Sequence, residues 1–469
     1  MAVNVIGGDI SVPETALAEL SASLEGELVG PGGPTYDEHR RVWNGSVDRF
    51  PALIARCAGA ADVRAAVGFA ASTGLPVAVR GGGHSYPGLS VCDGGIVIDL
   101  GLMKGIRVDP EAGTARAQAG VLWGELDRET QQFGLATTGG IVTHTGIAGL
   151  TLGGGIGWLQ RKHGLTIDRL LSVDLITADG QFVRASETEN PDLFWGVRGG
   201  GGNFGIVTEF EFRLDPLGPI VLAGPIIWPI EESPKVLRFY RDWIAEAPDE
   251  LMTIVVQRKL LPLPFLPPEL HGELVLSIGC CYAGPAEKGE EVVRPLRQFG
   301  NPVLDLCKPK PYLAHQAMFD ATFPHGWWYY FRSCDVAELS DDVIDVMVEH
   351  GSRIVSPITS VALWQMGGAI RRVGESETAF NNRDAGFTFN INGNSKTAEG
   401  FEAERAWART YWSALEPHHT SVYVNFLMDQ GEEAIRHAYG PDKYDRLKAL
   451  KRRYDPGNFF RLNQNIPPD

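Results

Sequence analysis

Positive charge is in short supply: 42 lysines and arginines face 58 acidic residues, a formal net charge of −16. Without a basic stripe or polybasic block, nucleic acid and anionic membrane surfaces are poor partners. Long apolar runs are missing too, and none reaches the roughly 18–20 residues of a membrane-spanning helix. The N-terminal stretch carries Asp9, Glu14, Glu19, Glu25 and Glu27 and lacks the charged-then-apolar pattern of an export signal. A cytoplasmic location is the expectation. Cys57, Cys92, Cys280, Cys281, Cys307 and Cys334 form no CxxC pair, so they read as buried thiols, and no metal site is expected. No Gly-Lys-Ser/Thr triplet adjoins a glycine run, which removes the P-loop nucleotide-binding class.

Glycine is abundant instead, at 56 of 469 residues against a usual share of about 7%. The excess gathers at 81–83, 153–157 and 199–205. Clustering of that kind points to backbone-lined ligand sites, because bare N–H groups can approach a large flat or phosphorylated ligand closely.

The length exceeds the roughly 250–300 residues at which single cores stop growing, so more than one domain is expected. Leu17, Leu20, Leu24 and Leu28 share one face of a helix over 14–28. Strand 50–57, helix 61–72 and strand 76–80 make a β-α-β unit that feeds the first glycine run. Strands at 96–100 and 114–119, a helix at 122–133, a hairpin over 170–185, a short helix at 191–197 and a strand at 205–214 follow. After Asp215-Pro216-Leu217-Gly218-Pro219 the glycine runs vanish and aromatics and prolines rise. Domains are therefore expected at 1–215 and 216–420, with a C-terminal segment at 421–469, in a mixed α+β chain.

The stretch Arg80-Gly81-Gly82-Gly83-His84-Ser85 follows an apolar strand and ends on the side chain that serves as base, ligand or covalent anchor near neutral pH. A tight turn with a surface histidine is the plain alternative. Gly200, Gly202 and Gly205 spell a formal G-x-G-x-x-G, but a helix precedes it and the strand Ile206–Phe210 follows. That is the reverse of the dinucleotide-binding context, so a Rossmann reading fails. His144 and His163, beside glycine clusters, read more readily as structural hydrogen-bond partners. Trp327 to Tyr330, Trp364 and Trp412 are aromatic core, or walls of an aromatic cavity.

Taken together, Arg80 to Ser85, the spaced glycines from Gly146 to Gly157, Asp192 to Trp195 with Arg198 to Gly205, Tyr423-Val424-Asn425, and Tyr454 to Ile466 carry a resemblance. In that order they are similar to the berberine-bridge-enzyme-like branch of the vanillyl-alcohol-oxidase, or PCMH-type, flavoproteins. The resemblance implies a PCMH-type FAD-binding domain of two α+β subdomains, with an inserted substrate domain built on an antiparallel sheet flanked by helices.

It also implies FAD bonded through its 8α-methyl to His84. Bicovalent relatives carry a cysteine four residues before the glycine matching Gly146; this chain has Val142 there, so one covalent link is expected. Arg80, Gly81, Gly82, Gly83, Ser85, Gly146, Gly149, Gly153, Gly154, Gly205, Ile206, Val207, Asn425, Asn463 and Asn465 are the implied flavin contacts. Tyr423 matches the tyrosine that takes a substrate proton, with Arg332 as a candidate to lower its pKa, and Thr145 falls where dioxygen is gated. No catalytic carboxylate can be placed, since Val361-Ala362-Leu363 fills the region where one would be sought. The implied activity is oxidation of a secondary-metabolite, aromatic or glycosidic alcohol, or a cyclic amine, by hydride transfer to flavin N5, with O2 reduced to H2O2. A flavin-dependent monooxygenase, with Thr145 and Leu150 shaping an oxygen pocket, is the alternative. A flavin-storing protein is disfavoured by the Tyr423-x-Asn425 pair.

Overall fold

The computed structural model describes residues 2–4, 11–264, 266–428 and 430–469. Its first sheet runs, edge to edge, through Glu27–Val29, Leu53–Arg56, Ile96–Asp99 and Val77–Arg80. Ile96–Asp99 is parallel to both its neighbours and wholly buried, as suits a central strand covered on both faces. Helix Ala60–Thr73 makes the crossover and stops at Gly74, whose φ of 73° is the left-handed conformation that terminates helices. The first helix is shorter than its leucine spacing predicts, Glu14–Ser23. At Gly26 the chain passes so near Arg56 that a Cβ would sit 1.9 Å from its carbonyl oxygen, and the segment becomes edge strand Glu27–Val29.

A second sheet, antiparallel and five-stranded, follows the order Phe182–Ser186, Leu170–Ile176, Ile206–Arg213, Thr114–Gln118, Ile106–Asp109. Its inner face, the Ala60–Thr73 helix and the first sheet share one core, to which Val422, Val424, Tyr444, Leu447, Phe460 and Ile466 return from the C-terminal segment.

Between them the chain builds a large antiparallel sheet whose main strands are Ile220–Pro229, Leu274–Tyr282, Leu251–Lys259, Ser360–Gln365, Phe387–Ser395 and Trp328–Val336. Helices Ser233–Ala245, Asp341–Gly351 and Phe401–Leu415 cover one face through Leu237, Ile344 and Tyr411. The other face packs Ile254, Val256 and Trp364 against Trp158, Leu159, Tyr423 and Phe426. Burial on both faces is why strands such as Leu274–Tyr282, interrupted only by Ser277, read as nearly continuous apolar runs, without the alternation that marks a half-exposed strand. A buried bidentate ion pair, Arg383 Nη2 to Asp168 Oδ1 at 2.7 Å and Nη1 to Oδ2 at 3.1 Å, ties the segment before strand Phe387–Ser395 to the one before strand Leu170–Ile176. No helix among the described residues is long and apolar enough to cross a membrane.

Candidate active site

A cavity of about 360 Å³ lies where the three sheets meet. Its walls include Gly81 to Ser85, Thr145, Gly146, Gly149, Gly153, Gly205 to Val207, Tyr423, Asn425 and Asn463, with Trp364 and Phe331 from the large sheet.

The first glycine run is held from behind. Arg80, expected to face the ligand, turns away: its Nη2 donates to Asp99 Oδ2 at 2.8 Å, and Nη1 donates to the His39 and Arg41 carbonyls. A guanidinium saturated by a buried carboxylate and two carbonyls anchors the loop and has little left to offer a cofactor. Gly82 and Gly146 then touch backbone to backbone, for a Cβ on Gly82 would lie 2.3 Å from Gly146 N. Glycine is required here by one loop pressing on another, in addition to any ligand.

The loop delivers His84 onto Trp43, rings 4.8 Å apart and 21° from parallel. His84 Nε2 lies 2.7 Å from His144 Nδ1, and the His325 ring is 5.6 Å away. Ligand nitrogens of the three histidines lie within 4.8 Å of one another. Burial, then the neighbouring His144 and His325, push the His84 pKa well below its ordinary value, and burial lowers the other two as well. All three are neutral at pH 7, so the Nε2···Nδ1 contact leaves His84 Nδ1 as the nitrogen with an uncommitted position.

The second glycine run is a bed for Tyr423. The Gly155 N–H donates to the phenolic oxygen at 2.9 Å and Asn425 Nδ2 donates to it at 2.8 Å. A Cβ on Gly153 would stand 2.1 Å from Asn425 Oδ1, and one on Gly154 would meet Phe380 at 2.7 Å and Tyr423 at 3.2 Å. Gly154 thus serves protein packing and does not line the cavity, contrary to expectation. Burial raises the Tyr423 pKa, to about 12, against the opposing pull of the Gly155 and Asn425 hydrogen bonds. Arg332 has no part in this. On strand Trp328–Val336 it alternates with cavity-facing Phe331, and its guanidinium lies over Tyr330 and Trp412 on the helix side, at 5.4 and 5.5 Å. The two donors to the phenol come from the glycine loop and Asn425 instead.

The third glycine run is pinned by the C-terminal segment. Lys451 Nζ, fully buried, donates to Asn203 O at 2.8 Å, Phe460 O at 2.9 Å and Asp455 Oδ2 at 2.7 Å. Asn463 Nδ2 donates to Gly202 O at 3.1 Å, while among the described residues its buried Oδ1 has no partner. Asn465 Oδ1 is likewise buried and without a partner among the described residues, but Asn465 is not on the cavity wall.

Residues 51–186 match the family described as FAD binding domain, and residues 422–467 the one described as Berberine and berberine like. An FAD-linked oxidoreductase from Dictyostelium discoideum is 31% identical over 455 residues, 96% of each chain. The (R)-6-hydroxynicotine oxidase of Paenarthrobacter nicotinovorans is 32% identical over 462 residues, 95% of this chain and 98% of its own. The chain belongs to the berberine-bridge-like FAD-linked oxidoreductases. Solved structures agree: 6-hydroxy-D-nicotine oxidase from Arthrobacter nicotinovorans superposes with a TM-score of 0.86, covering 95% of this chain and 99% of that one, at 32% identity. A glucooligosaccharide oxidase from Acremonium strictum, which carries 6-S-cysteinyl, 8α-N1-histidyl FAD, gives 0.85 at 25% identity, covering 97% and 100%.

The cavity of this berberine-bridge-like oxidoreductase fits FAD. The unpartnered Asn463 Oδ1 offers an acceptor on the wall, and Gly149 and Gly202 face space in which a Cβ would meet nothing. Sequence reading missed Trp43, Tyr86, His325, Arg258 and Asn390. Tyr86, partly buried, stacks on Phe331 at 3.9 Å, and Trp43 stacks on Tyr329 at 3.7 Å. Each meets the site through residues far away in sequence. The one local signal was Arg258, a charge ending the otherwise apolar alternation Ile254, Val256, Arg258.

Proposed function

We propose that this FAD-linked oxidoreductase is an oxidase with its flavin bonded to His84 alone, acting on an alcohol or cyclic amine of an organic small molecule. The observation that carries the reading is the pairing, in one cavity, of a neutral His84 with a Tyr423 phenol held by two donors. When bound, FAD supplies a hydride acceptor at N5 and returns the electrons to O2, giving H2O2. His84 would hold the flavin through Nδ1, since Nε2 is engaged by His144. Val142 on the cavity wall provides no thiol for a second link. Tyr423 receives the substrate's hydroxyl proton, and Gly155 N–H and Asn425 Nδ2 stabilise the phenolate that does so. Trp364, Phe426 and Phe331 keep water from the reacting carbon. Thr145, at the cavity wall in a turn closed by its N–H to Val142 O at 3.0 Å, is small enough to leave O2 a path.

Acid precipitation of holoprotein tests the reading: the yellow chromophore stays with wild-type protein and washes away from His84→Ala. Complete release from wild type would refute the covalent link. Stoichiometric H2O2, against incorporation of labelled oxygen into product, separates the oxidase from a monooxygenase.

A further inference from the structure

The cavity wall formed by the large sheet carries a polar patch that hydride transfer leaves unused. Antiparallel register sets Arg258 opposite Ser360, and Ser360 opposite Asn392. Val256, Ala362 and Asn390 form the next row on the same face, and Ile254 with Trp364 the row beyond. All of these line the cavity. The Trp364 row is the one near the chemistry: Trp364 lies 6.2 Å from Phe426, whose ring is 4.9 Å from that of Tyr423. Arg258 is four residues farther along its strand than Ile254, about 13 Å at roughly 3.3 Å per residue. It therefore stands at the end of the wall remote from Tyr423.

Arg258 is only 9% exposed. Among the described residues its guanidinium makes one hydrogen bond, Nε to the Lys259 carbonyl at 3.3 Å, and pairs with no carboxylate. Burial alone pushes its pKa down, to about 10, with no anion pulling it back. The other buried arginines are answered: Arg80 has Asp99, Arg383 has Asp168, and Arg161 has the Leu251, Met366 and Ala247 carbonyls with Asp249 at 3.7 Å. A buried cation without a partner is costly unless something outside the chain answers it. The neighbours are poised in the same way. Asn392 Nδ2 donates to Ser360 Oγ at 3.2 Å, leaving the Ser360 proton free for the cavity; the Asn390 side chain also reaches the Tyr86 phenol, and among the described residues the buried Asn390 Oδ1 and Asn392 Oδ1 have no donor.

Resting on the oxidase reading above, we propose that Arg258 and Ser360 form a carboxylate-binding subsite. The substrate is then an organic acid, with its carboxylate remote from the carbon that is oxidised and hydroxyl groups answering the carbonyls of Asn390 and Asn392. A planar carboxylate can accept from both Nη groups of Arg258 at once and from the Ser360 hydroxyl.

Calorimetric titration of the holoprotein with benzoate and with its neutral counterpart benzamide tests this without turnover. Wild type binds benzoate at least tenfold more tightly than benzamide. Arg258→Gln weakens benzoate roughly ten- to hundredfold at unchanged flavin content and leaves benzamide where it was, whereas Arg258→Lys keeps part of the preference. Equal affinity for the two probes in wild type overturns the proposal, even if no Arg258 variant folds. So does a preference that survives in Arg258→Gln. A protein that prefers benzoate through Arg258 yet never passes electrons to O2 would refute the oxidase reading and leave the subsite standing.

Discussion

Tyr423 and Gly155, 268 residues apart in the chain, meet at 2.9 Å, with the Gly155 N–H donating to the phenolic oxygen. Asn425 Nδ2 completes a two-donor cradle at 2.8 Å. Both donors favour the phenolate, and burial opposes them, leaving the pKa raised to about 12. If Tyr423 takes the substrate proton, the reactive phenolate is a minor species at neutral pH. Anaerobic flavin bleaching should therefore accelerate about tenfold per pH unit between pH 7 and 10. Tyr423→Phe should lose that slope and about 10²–10⁴ in rate. Asn425→Ala removes one donor, raises the pKa further and should slow bleaching roughly ten- to hundredfold at pH 8 with the slope kept. A flat pH profile in wild type would remove Tyr423 from the role.

His144 should govern how fast the flavin is attached. Its Nδ1 meets His84 Nε2 at 2.7 Å, fixing the ring and the nitrogen that remains available. His144→Ala apoprotein given FAD is expected to bind it at wild-type stoichiometry while the acid-stable fraction grows about 10–100 times more slowly. In-gel flavin fluorescence after denaturation follows the reaction. An unchanged rate would make His144 a packing residue only.

Lys451 and Asp455 are buried to 0% and 1% side-chain exposure and stand 2.7 Å apart. Lys451→Met leaves the Asp455 carboxylate buried with only the Phe459 and Phe460 N–H groups as donors. A loss of about 3–5 kcal/mol in denaturant unfolding is expected. Flavin affinity should fall with it, because the same lysine ties Asn203 to Phe460 and so positions Asn463.

Asp127 offers a pH test of stability. Burial raises its pKa, to about 7, against one hydrogen bond from Gln316 Nε2 at 2.7 Å. In the unfolded chain it titrates near 3.9. Below about pH 4 both states hold the proton and the group costs nothing. Between pH 4 and 7 the unfolded chain releases its proton first, so stability is lost as pH rises, and above 7 the loss is constant. Asp127→Asn should match wild type near pH 4 and exceed it by about 2–4 kcal/mol at pH 8. Urea melts at the two pH values check both halves, and equal midpoints at pH 8 would show that Asp127 is ionised at no cost.

Much of the cofactor half was legible in the residues themselves. A proline in the first turn helps fix helix Pro191–Val197, which matches its sequence pattern end to end. Failure of the Rossmann reading at Gly205 followed from element order alone, since helix Pro191–Val197 precedes and strand Ile206–Arg213 follows. The sequence by itself determined which segments carry glycine, histidine, tyrosine and asparagine in an order that defines a flavoprotein.

Tertiary structure decided what each of those residues faces. Arg80 sits in the motif but points to Asp99, and Arg332 lies one residue from cavity-facing Phe331 yet belongs to the opposite side of its strand. Alternation gives the two faces of a strand, but when both faces are buried it does not say which one meets the cofactor. His325 and Arg258 became site residues only when the large sheet was laid against the glycine loops. The cavity's demand for a buried positive charge is a property of that packing, because the partners that could have neutralised Arg258 are absent only in three dimensions, among the described residues.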